Sequence, residues 1–283
     1  MKKIGLIALD MDGTLFNSRG KVSEKDKHTL KRATEAGIAV AVATGRAFTE
    51  LPGKLLVDVG IRYAITGNGS ALYRVEDGKC IFSDCMDTEL LFTILTEIKK
   101  LHVYYDVYVE GKPYCPKGAK AMFRQMSFPE ALIDQLEQSR IEVDDMEAFL
   151  RNSGKQAEKV TINFIRLEDG SCLHRAETEE ILKRYPQVEY LCGGFSNWEF
   201  TRAGVTKGSG LHLLAEKLGV PMEQTMACGD SGNDIPMLKE AALAVAMENA
   251  VEEAKEAAGF ITLSNDESGV AYAVEKFVLG NCG

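Results

Sequence analysis

The chain opens on an unbroken apolar run at residues 4–9 that stops at a carboxylate, Asp10. Similar runs recur at 38–43 and 63–65. Between the first two lies a stretch with helical spacing. Ser23 is its N-cap with Asp26 three residues later, a capping box with Asp in place of Glu, and Gly37 is its stop. Strand, helix and strand at this spacing predict a βαβ unit in a parallel sheet. Runs that are continuous rather than alternating fit strands covered on both faces.

The last third repeats this style. Its pattern predicts a helix over 207–218 ended by Gly219, a strand over 225–228 and a helix over 233–241. A strand over 243–247, a helix over 250–258, a strand over 260–263 and a final helix over 269–277 follow. The middle reads differently. Aromatics cluster there, strands look half-exposed, and VYYDVYVEGKPYC reads as a hairpin turning near Glu110-Gly111. Helical patterns span 87–101, 129–138 and 178–185, while KVTINFIRL and EYLCGGFSNWEF read as further antiparallel strands. This is an α+β pattern set inside an α/β one. The expected organisation is a core built from residues 1–83 and 201–283, with residues 84–200 inserted as a second domain.

Composition narrows the class. A chain of 283 residues allows one large or two smaller domains at about 150 residues each. It is 45% hydrophobic and 27% charged, enough for a real core in a soluble protein. No apolar run approaches the roughly 20 residues of a membrane helix. Lys2-Lys3 before the first run faintly resembles a signal peptide. Asp10 ends that run short of the about 7–15 residues a secretory segment needs, so it reads as a strand. The seven cysteines (80, 85, 115, 172, 192, 228, 282) are scattered with no C-x-x-C, which predicts reduced thiols in a cytoplasmic protein. The four histidines (28, 102, 174, 212) show no ligand spacing. A net charge of −9 argues against a nucleic-acid footprint and against long-range capture of anions. An anionic substrate would need a metal or a few placed cations.

The candidate chemistry gathers in four places. Asp10-x-Asp12-Gly13-Thr14 follows the first strand, and Thr44-Gly45-Arg46 follows the second. Lys207 opens a late helix, and Gly229-Asp230-Ser231-Gly232-Asn233-Asp234 follows the strand at 225. Ligands of open α/β sheets bind beyond the carboxyl ends of strands, at a switch in strand order. Three of the four motifs sit at such ends, so they read as one site. Crowded carboxylates call for a hard divalent cation, with Asp10 and Asp230 as the natural ligands. Aspartate is a competent nucleophile for phosphoryl transfer through an aspartyl-phosphate. Asp12 would project to the same side if the chain stays extended, and would then serve as acid and base. Gly13 permits a sharp turn beside the phosphate. Thr44 offers a hydroxyl donor and Lys207 a fixed cation. Asn233, at a helix start, would donate to phosphate with help from the helix dipole. Asp234 would hold Lys207 or a metal-bound water.

Each motif alone has an ordinary reading. D-x-D-G-T is also turn chemistry, Thr-Gly ends many strands, exposed lysines are the rule, and Asn or Asp caps helices. Arg46 stays open between a substrate contact and a surface ion pair. Asn68 in TGNGS reads as a turn residue, and Trp198 as an anchor where the insert rejoins the core. Lys112, Lys117, Lys120 and Arg124 in the insert read as solvated surface before anion contacts.

Taken together, Asp10-Met-Asp-Gly-Thr14, Thr44-Gly-Arg46, Lys207-Gly208 and Gly229-Asp-x-x-Asn-Asp234 resemble the four motifs of the haloacid dehalogenase-like (HAD) superfamily. ITGNGS, AGVTKGSGL and NDESGVAYAVEKF resemble its Cof-type branch. Both ends of the chain carry the resemblance; the insert matches by position and length. It implies an α/β fold, with a Rossmann-like parallel-sheet core and an inserted α+β cap of the C2 type (class IIB). It also implies Mg²⁺-dependent hydrolysis of small phosphorylated metabolites, sugar phosphates first, then pyridoxal phosphate and nucleotide-derived esters. By the same resemblance Asp10 is the nucleophile and Asp12 the acid/base. Thr44 and Asn233 contact phosphate, with Gly45 and Arg46 beside Thr44, and Lys207 orients the nucleophile. Mg²⁺ would use Asp10, Asp230 and the Asp12 backbone carbonyl, with Asp234 in support. No nucleic-acid or membrane partner is expected, and the oligomeric state is not legible. The competing functions are a phosphomutase, which needs a bisphosphate activator, and a non-catalytic sensor of a phosphometabolite.

Overall fold

The apolar runs become the strands of one sheet in the computed structural model, which describes residues 3–280. Cys282 lies outside the described residues. The chain divides into two compact units: residues 1–46, 51–82 and 206–283 form the first, residues 47–50 and 83–205 the second.

Among the described residues the first unit holds a sheet of eight strands. In spatial order they are Phe260–Ile261, Leu243–Ala246, Thr225–Gly229, Leu6–Leu9, Ala39–Ala43, Tyr63–Thr66, Ala71–Arg74 and Lys79–Ser83. The first six are parallel; Ala71–Arg74 returns antiparallel to Tyr63–Thr66. Chain order runs outward from Leu6–Leu9 to Tyr63–Thr66, then resumes on the other flank at Thr225–Gly229. Leu6–Leu9 therefore borders the switch point. Its four residues are all buried, as a strand covered on both faces requires.

Ser23 caps the helix Glu24–Glu35 as its spacing implies, accepting from the Asp26 N–H at 3.0 Å. Asp26 also reaches across the chain and accepts the Ala271 N–H at 2.8 Å, tying the C-terminal helix Gly269–Val274 to the first helix. Burial raises the Asp26 carboxyl above its ordinary value.

The helix Lys207–Leu218 matches its expected span, with Gly219 left-handed at φ 66°. Other elements are shorter than the pattern suggested. The strand expected over 260–263 keeps only Phe260–Ile261. The helix expected over 233–241 divides into a 3₁₀ turn, Gly232–Asp234, and a six-residue helix, Ile235–Glu240. Pro236 lies in its first turn, where a missing N–H costs nothing.

In the second unit a six-stranded sheet runs in the order Val188–Cys192, Trp198–Arg202, Lys159–Asn163, Tyr104–Val109, Lys112–Pro116 and Ile141–Val143 among the described residues. The hairpin turn falls at Glu110 (φ 49°) and Gly111 (φ 70°), as the sequence implies. One face is apolar. Val107, Val160, Ile162 and Phe200 pack there with residues of the helices Thr88–Ile98 and Arg175–Leu182. Trp198 belongs to this cluster, donating its indole N–H to the Arg175 carbonyl at 3.1 Å. It is a core residue of the insert.

The outer strands Lys112–Pro116, Ile141–Val143 and Val188–Cys192 are partly exposed as expected, but two inner strands are not. Tyr104–Val109 and Lys159–Asn163 are buried along their whole length. Their polar face is buried because its charges are paired. Lys159 meets Glu199 at 2.8 Å, and Arg140 meets Asp106 at 2.9 Å and Glu50. At the surface Lys117 pairs with Asp144 at 2.7 Å, and Arg124 with Glu130 and Glu137, in line with solvated roles.

Removing one member of a buried ion cluster strands the others. Arg140→Ala, which leaves Asp106 and Glu50 unpaired, is expected to destabilise the protein by about 3–5 kcal/mol. The urea-unfolding midpoint reads this; an unchanged midpoint would refute it.

Candidate active site

Asp10, Thr44 and Asp230 follow the strands Leu6–Leu9, Ala39–Ala43 and Thr225–Gly229. These strands are direct neighbours, so their carboxyl ends converge. Lys207 is the first residue of its helix, whose N-cap Thr206 accepts from the Ser209 N–H. A cation at a helix N-terminus is opposed by the helix dipole, and a buried one also loses its hydration. Lys207 is 1% exposed, and two carboxylates offset both costs. Its Nζ donates to Asp10 Oδ1 at 2.6 Å and to Asp234 Oδ1 at 2.7 Å.

Glycines beside these groups permit the approach. A Cβ on Gly208 would stand 2.8 Å from the Pro236 carbonyl oxygen, and one on Gly229 2.5 Å from Asp234 Cβ. Asp234 has little left to offer. Its Oδ2 accepts the N–H groups of Asp230 and Ser231, each at 3.0 Å. It braces Lys207 and the Asp230 loop.

Beyond Asp10 the chain does not stay extended. The Leu15 N–H returns to the Asp10 carbonyl at 3.2 Å and the Phe16 N–H to that of Met11 at 2.8 Å. Gly13 makes the turn at φ 90°, where a Cβ would lie 2.5 Å from Asp230 Oδ2. The Asp12 side chain, 58% exposed, pairs with Arg46 instead of joining the buried carboxylates. Arg46 grips it with Nε at 2.8 Å and Nη2 at 2.6 Å, an ion pair at a partly exposed position. Thr44 Oγ1 accepts the Arg46 N–H at 3.2 Å, with Gly45 between them. A hydroxyl that accepts through its oxygen keeps its hydrogen to donate. Asn233 lies in the 3₁₀ turn, its Oδ1 accepting from Ser231 Oγ at 2.8 Å. The helix that follows is too short for the dipole contribution expected from the sequence.

Four residues given no chemical role in the sequence prove to support the site. Thr14 donates to Asp230 Oδ1 at 2.6 Å, Asn249 to the Gly13 carbonyl at 2.8 Å, Ser231 to Asn233, and Asn68 Oδ1 accepts from Asn233 at 3.3 Å. Thr14 and Ser231 were within reach of inference, being inside the motifs. Asn68 and Asn249 act across the fold; flanking glycines and the ITGNGS resemblance marked Asn68 without giving it a role.

Burial raises the Asp10 carboxyl well above its ordinary value, and the Asp234 and Asp230 charges add to this against Lys207. Asp230 is pushed up to about 6, first by burial. Burial pulls the Lys207 ammonium down, but Asp10 and Asp234 more than reverse this and hold it above its ordinary value. Asp10, Asp230 and Asp234 offer carboxylate oxygens within 4.8 Å of one another. An all-oxygen donor set of mutually repelling carboxylates, without His or Cys, fits a hard divalent cation. Asp10 and Asp230 are the better ligands, since both Asp234 oxygens are engaged.

The family model described as haloacid dehalogenase-like hydrolase matches residues 7–274. The phosphatase YwpJ of Bacillus subtilis is 32% identical over 95% of this chain and 98% of its own length. The 5-amino-6-(5-phospho-D-ribitylamino)uracil phosphatase YwtE of the same organism is 30% identical over 97% of this chain and 98% of its own. A solved haloacid dehalogenase-like hydrolase from B. subtilis superposes with a TM-score of 0.79, at 28% identity over 97% of this chain and 100% of that one. The chain belongs to the haloacid dehalogenase-like hydrolases and is a phosphoric monoester hydrolase. Among the described residues no helix is long and apolar enough to cross a membrane.

Two outcomes follow from the raised carboxyls. Such groups contribute their full stability when protonated, below their ordinary range, and lose it as pH rises through the folded value, about 6 for Asp230. A cation binds the deprotonated form, so Mg²⁺ is expected to raise the thermal midpoint more at about pH 7.5 than at about pH 5. Equal shifts would contradict this. Asp10→Asn deletes a charge that burial disfavours, so its metal-free form should melt at or above the wild-type midpoint by calorimetry. A large drop would contradict the assignment.

Proposed function

We propose that the protein is a Mg²⁺-dependent phosphatase of small phosphate monoesters whose leaving group is a hydroxylated carbon chain, a sugar or sugar alcohol. The observation that carries the reaction is Lys207 bridging Asp10 and Asp234 beside Asp230, at the switch point of a parallel sheet. The substrate class draws on YwtE, whose name specifies a phospho-ribityl compound.

In this reading Asp10 attacks phosphorus with one carboxylate oxygen while the bond to the leaving oxygen breaks. Asp12 gives that oxygen its proton, then takes one from the water that attacks the aspartyl-phosphate. The P–O bond to Asp10 then breaks, phosphate leaves and the carboxylate is restored. Lys207 fixes the direction of the Asp10 carboxylate through its Oδ1 and offsets phosphoryl charge. The Thr44 hydroxyl, the Asn233 amide and the Gly45 backbone face that charge, and Arg46 orients Asp12. Mg²⁺ held by Asp10, Asp230 and the Asp12 backbone carbonyl would relieve the repulsion between nucleophile and phosphoryl oxygens. A small phosphorylated metabolite is the partner this requires.

A panel of phosphorylated metabolites assayed with Mg²⁺ and with EDTA tests the reading. Mg²⁺-dependent phosphate release is expected, with sugar and sugar-alcohol phosphates showing the highest kcat/KM. Asp10→Asn is expected to lower kcat by at least about 1,000-fold. Turnover unaffected by EDTA, or a requirement for a bisphosphate with isomerised rather than hydrolysed product, would overturn it.

A further inference from the structure

The loop after the strand Tyr63–Thr66 has the backbone Gly67-Asn68-Gly69. Asn68 lies in the left-handed region, at φ 59° and ψ 27°, and is 2% exposed. A non-glycine residue pays a conformational cost there that either neighbour would avoid, and burying an amide adds a second cost. The contacts of the loop give the reason for its side chain. The Gly67 N–H donates to the Arg46 carbonyl at 3.1 Å, and the Asn68 N–H to the Thr44 carbonyl at 3.0 Å. A Cβ on Gly69 would stand 2.0 Å from the Thr206 carbonyl oxygen, so the loop lies flat against the helix start that carries Lys207. A Cβ on Gly210 would stand 3.0 Å from Gly69 Cα, so the next turn of that helix is also pressed to the loop. The loop thus meets the segments bearing Thr44 and Lys207 through its backbone. Toward Asn233 it extends a side chain, with Asn68 Oδ1 accepting from Asn233 Nδ2 at 3.3 Å.

Asn233 is consequently held at both ends of its amide. Ser231 Oγ donates to its Oδ1 at 2.8 Å, and Asn68 takes one hydrogen of its Nδ2. A primary amide carries two N–H donors in one plane, so fixing the oxygen and one hydrogen fixes the direction of the second. We propose that Asn68 is a positioning residue: it sets the plane of the Asn233 amide so that the remaining N–H is aimed before the phosphoryl group arrives. This rests on the reading of Asn233 as a phosphate contact. A donor already oriented needs no reorganisation in the transition state, which is where such a contact acts.

A double-mutant cycle tests it. Asn68→Gly keeps the left-handed backbone and deletes the amide. It is expected to lower kcat/KM by about tenfold and to weaken inhibition by inorganic phosphate. In an Asn233→Ala background the same change should cost less than about twofold, because the group it positions is gone. Asn68→Asp keeps both the backbone tolerance and the acceptor, so removal of Asn233 should still cost its full factor there. A thermal midpoint for each variant separates these losses from instability. If Asn68→Gly lowers kcat/KM equally with and without Asn233, the positioning role is overturned while the phosphatase reading stands. If Asn233→Ala alone leaves kcat/KM and phosphate inhibition unchanged, the assignment of Asn233 falls, and the inference with it.

Discussion

A buried ammonium between two buried carboxylates is the constraint around which the first unit is arranged. Lys207 sits at the wrong end of a helix for its charge and has almost no contact with water. Asp10 and Asp234 make it tolerable, and it makes them tolerable in return. The arrangement still leaves an excess of negative charge, since Asp230 shares the pocket of carboxylates. Burial first, and that surplus with it, raise Asp10 and Asp230, and the crowded carboxylates fit a divalent cation. The same imbalance that weakens the metal-free fold prepares the site for phosphoryl chemistry, a trade of stability for function.

Glycine serves the constraint directly. Gly13, Gly208 and Gly229 stand where any side chain would collide with Asp230, the Pro236 carbonyl or Asp234. Short-range motifs in the sequence therefore record long-range contacts. Lys207-Gly208 is a lysine plus the clearance its helix needs, and Gly229-Asp230 is a carboxylate plus the room for Asp234 beside it.

Much of the fold was legible for this reason. The strands around Asp10, Thr44 and Asp230 follow from continuous apolar runs, and the helix Lys207–Leu218 from its spacing and its terminal Gly219. The direction of Asp12 was not legible. It depends on a turn held by Asn249 and Asn265, which donate to the carbonyls of Gly13 and Phe16 from the far end of the chain. Asn68 looked like turn chemistry because its partner Asn233 is 165 positions away. In the second unit, alternation of polar and apolar residues normally signals a wet face. Here the polar face is buried, because Lys159 with Glu199 and Arg140 with Asp106 neutralise one another. Periodicity records polarity, and cannot distinguish water from a partner charge.

The claim on which the chemistry turns is that the Asp10 carboxylate becomes covalently phosphorylated. Its most direct test is acid-quench trapping during turnover of a labelled sugar phosphate by an Asp12→Ala variant, followed by peptide mass mapping. That variant keeps the nucleophile but lacks the group assigned to activate water. The account predicts phosphate on the peptide containing Asp10, at that residue. Phosphate on any other side chain, or turnover that persists when Asp10 is replaced by Asn, would contradict it.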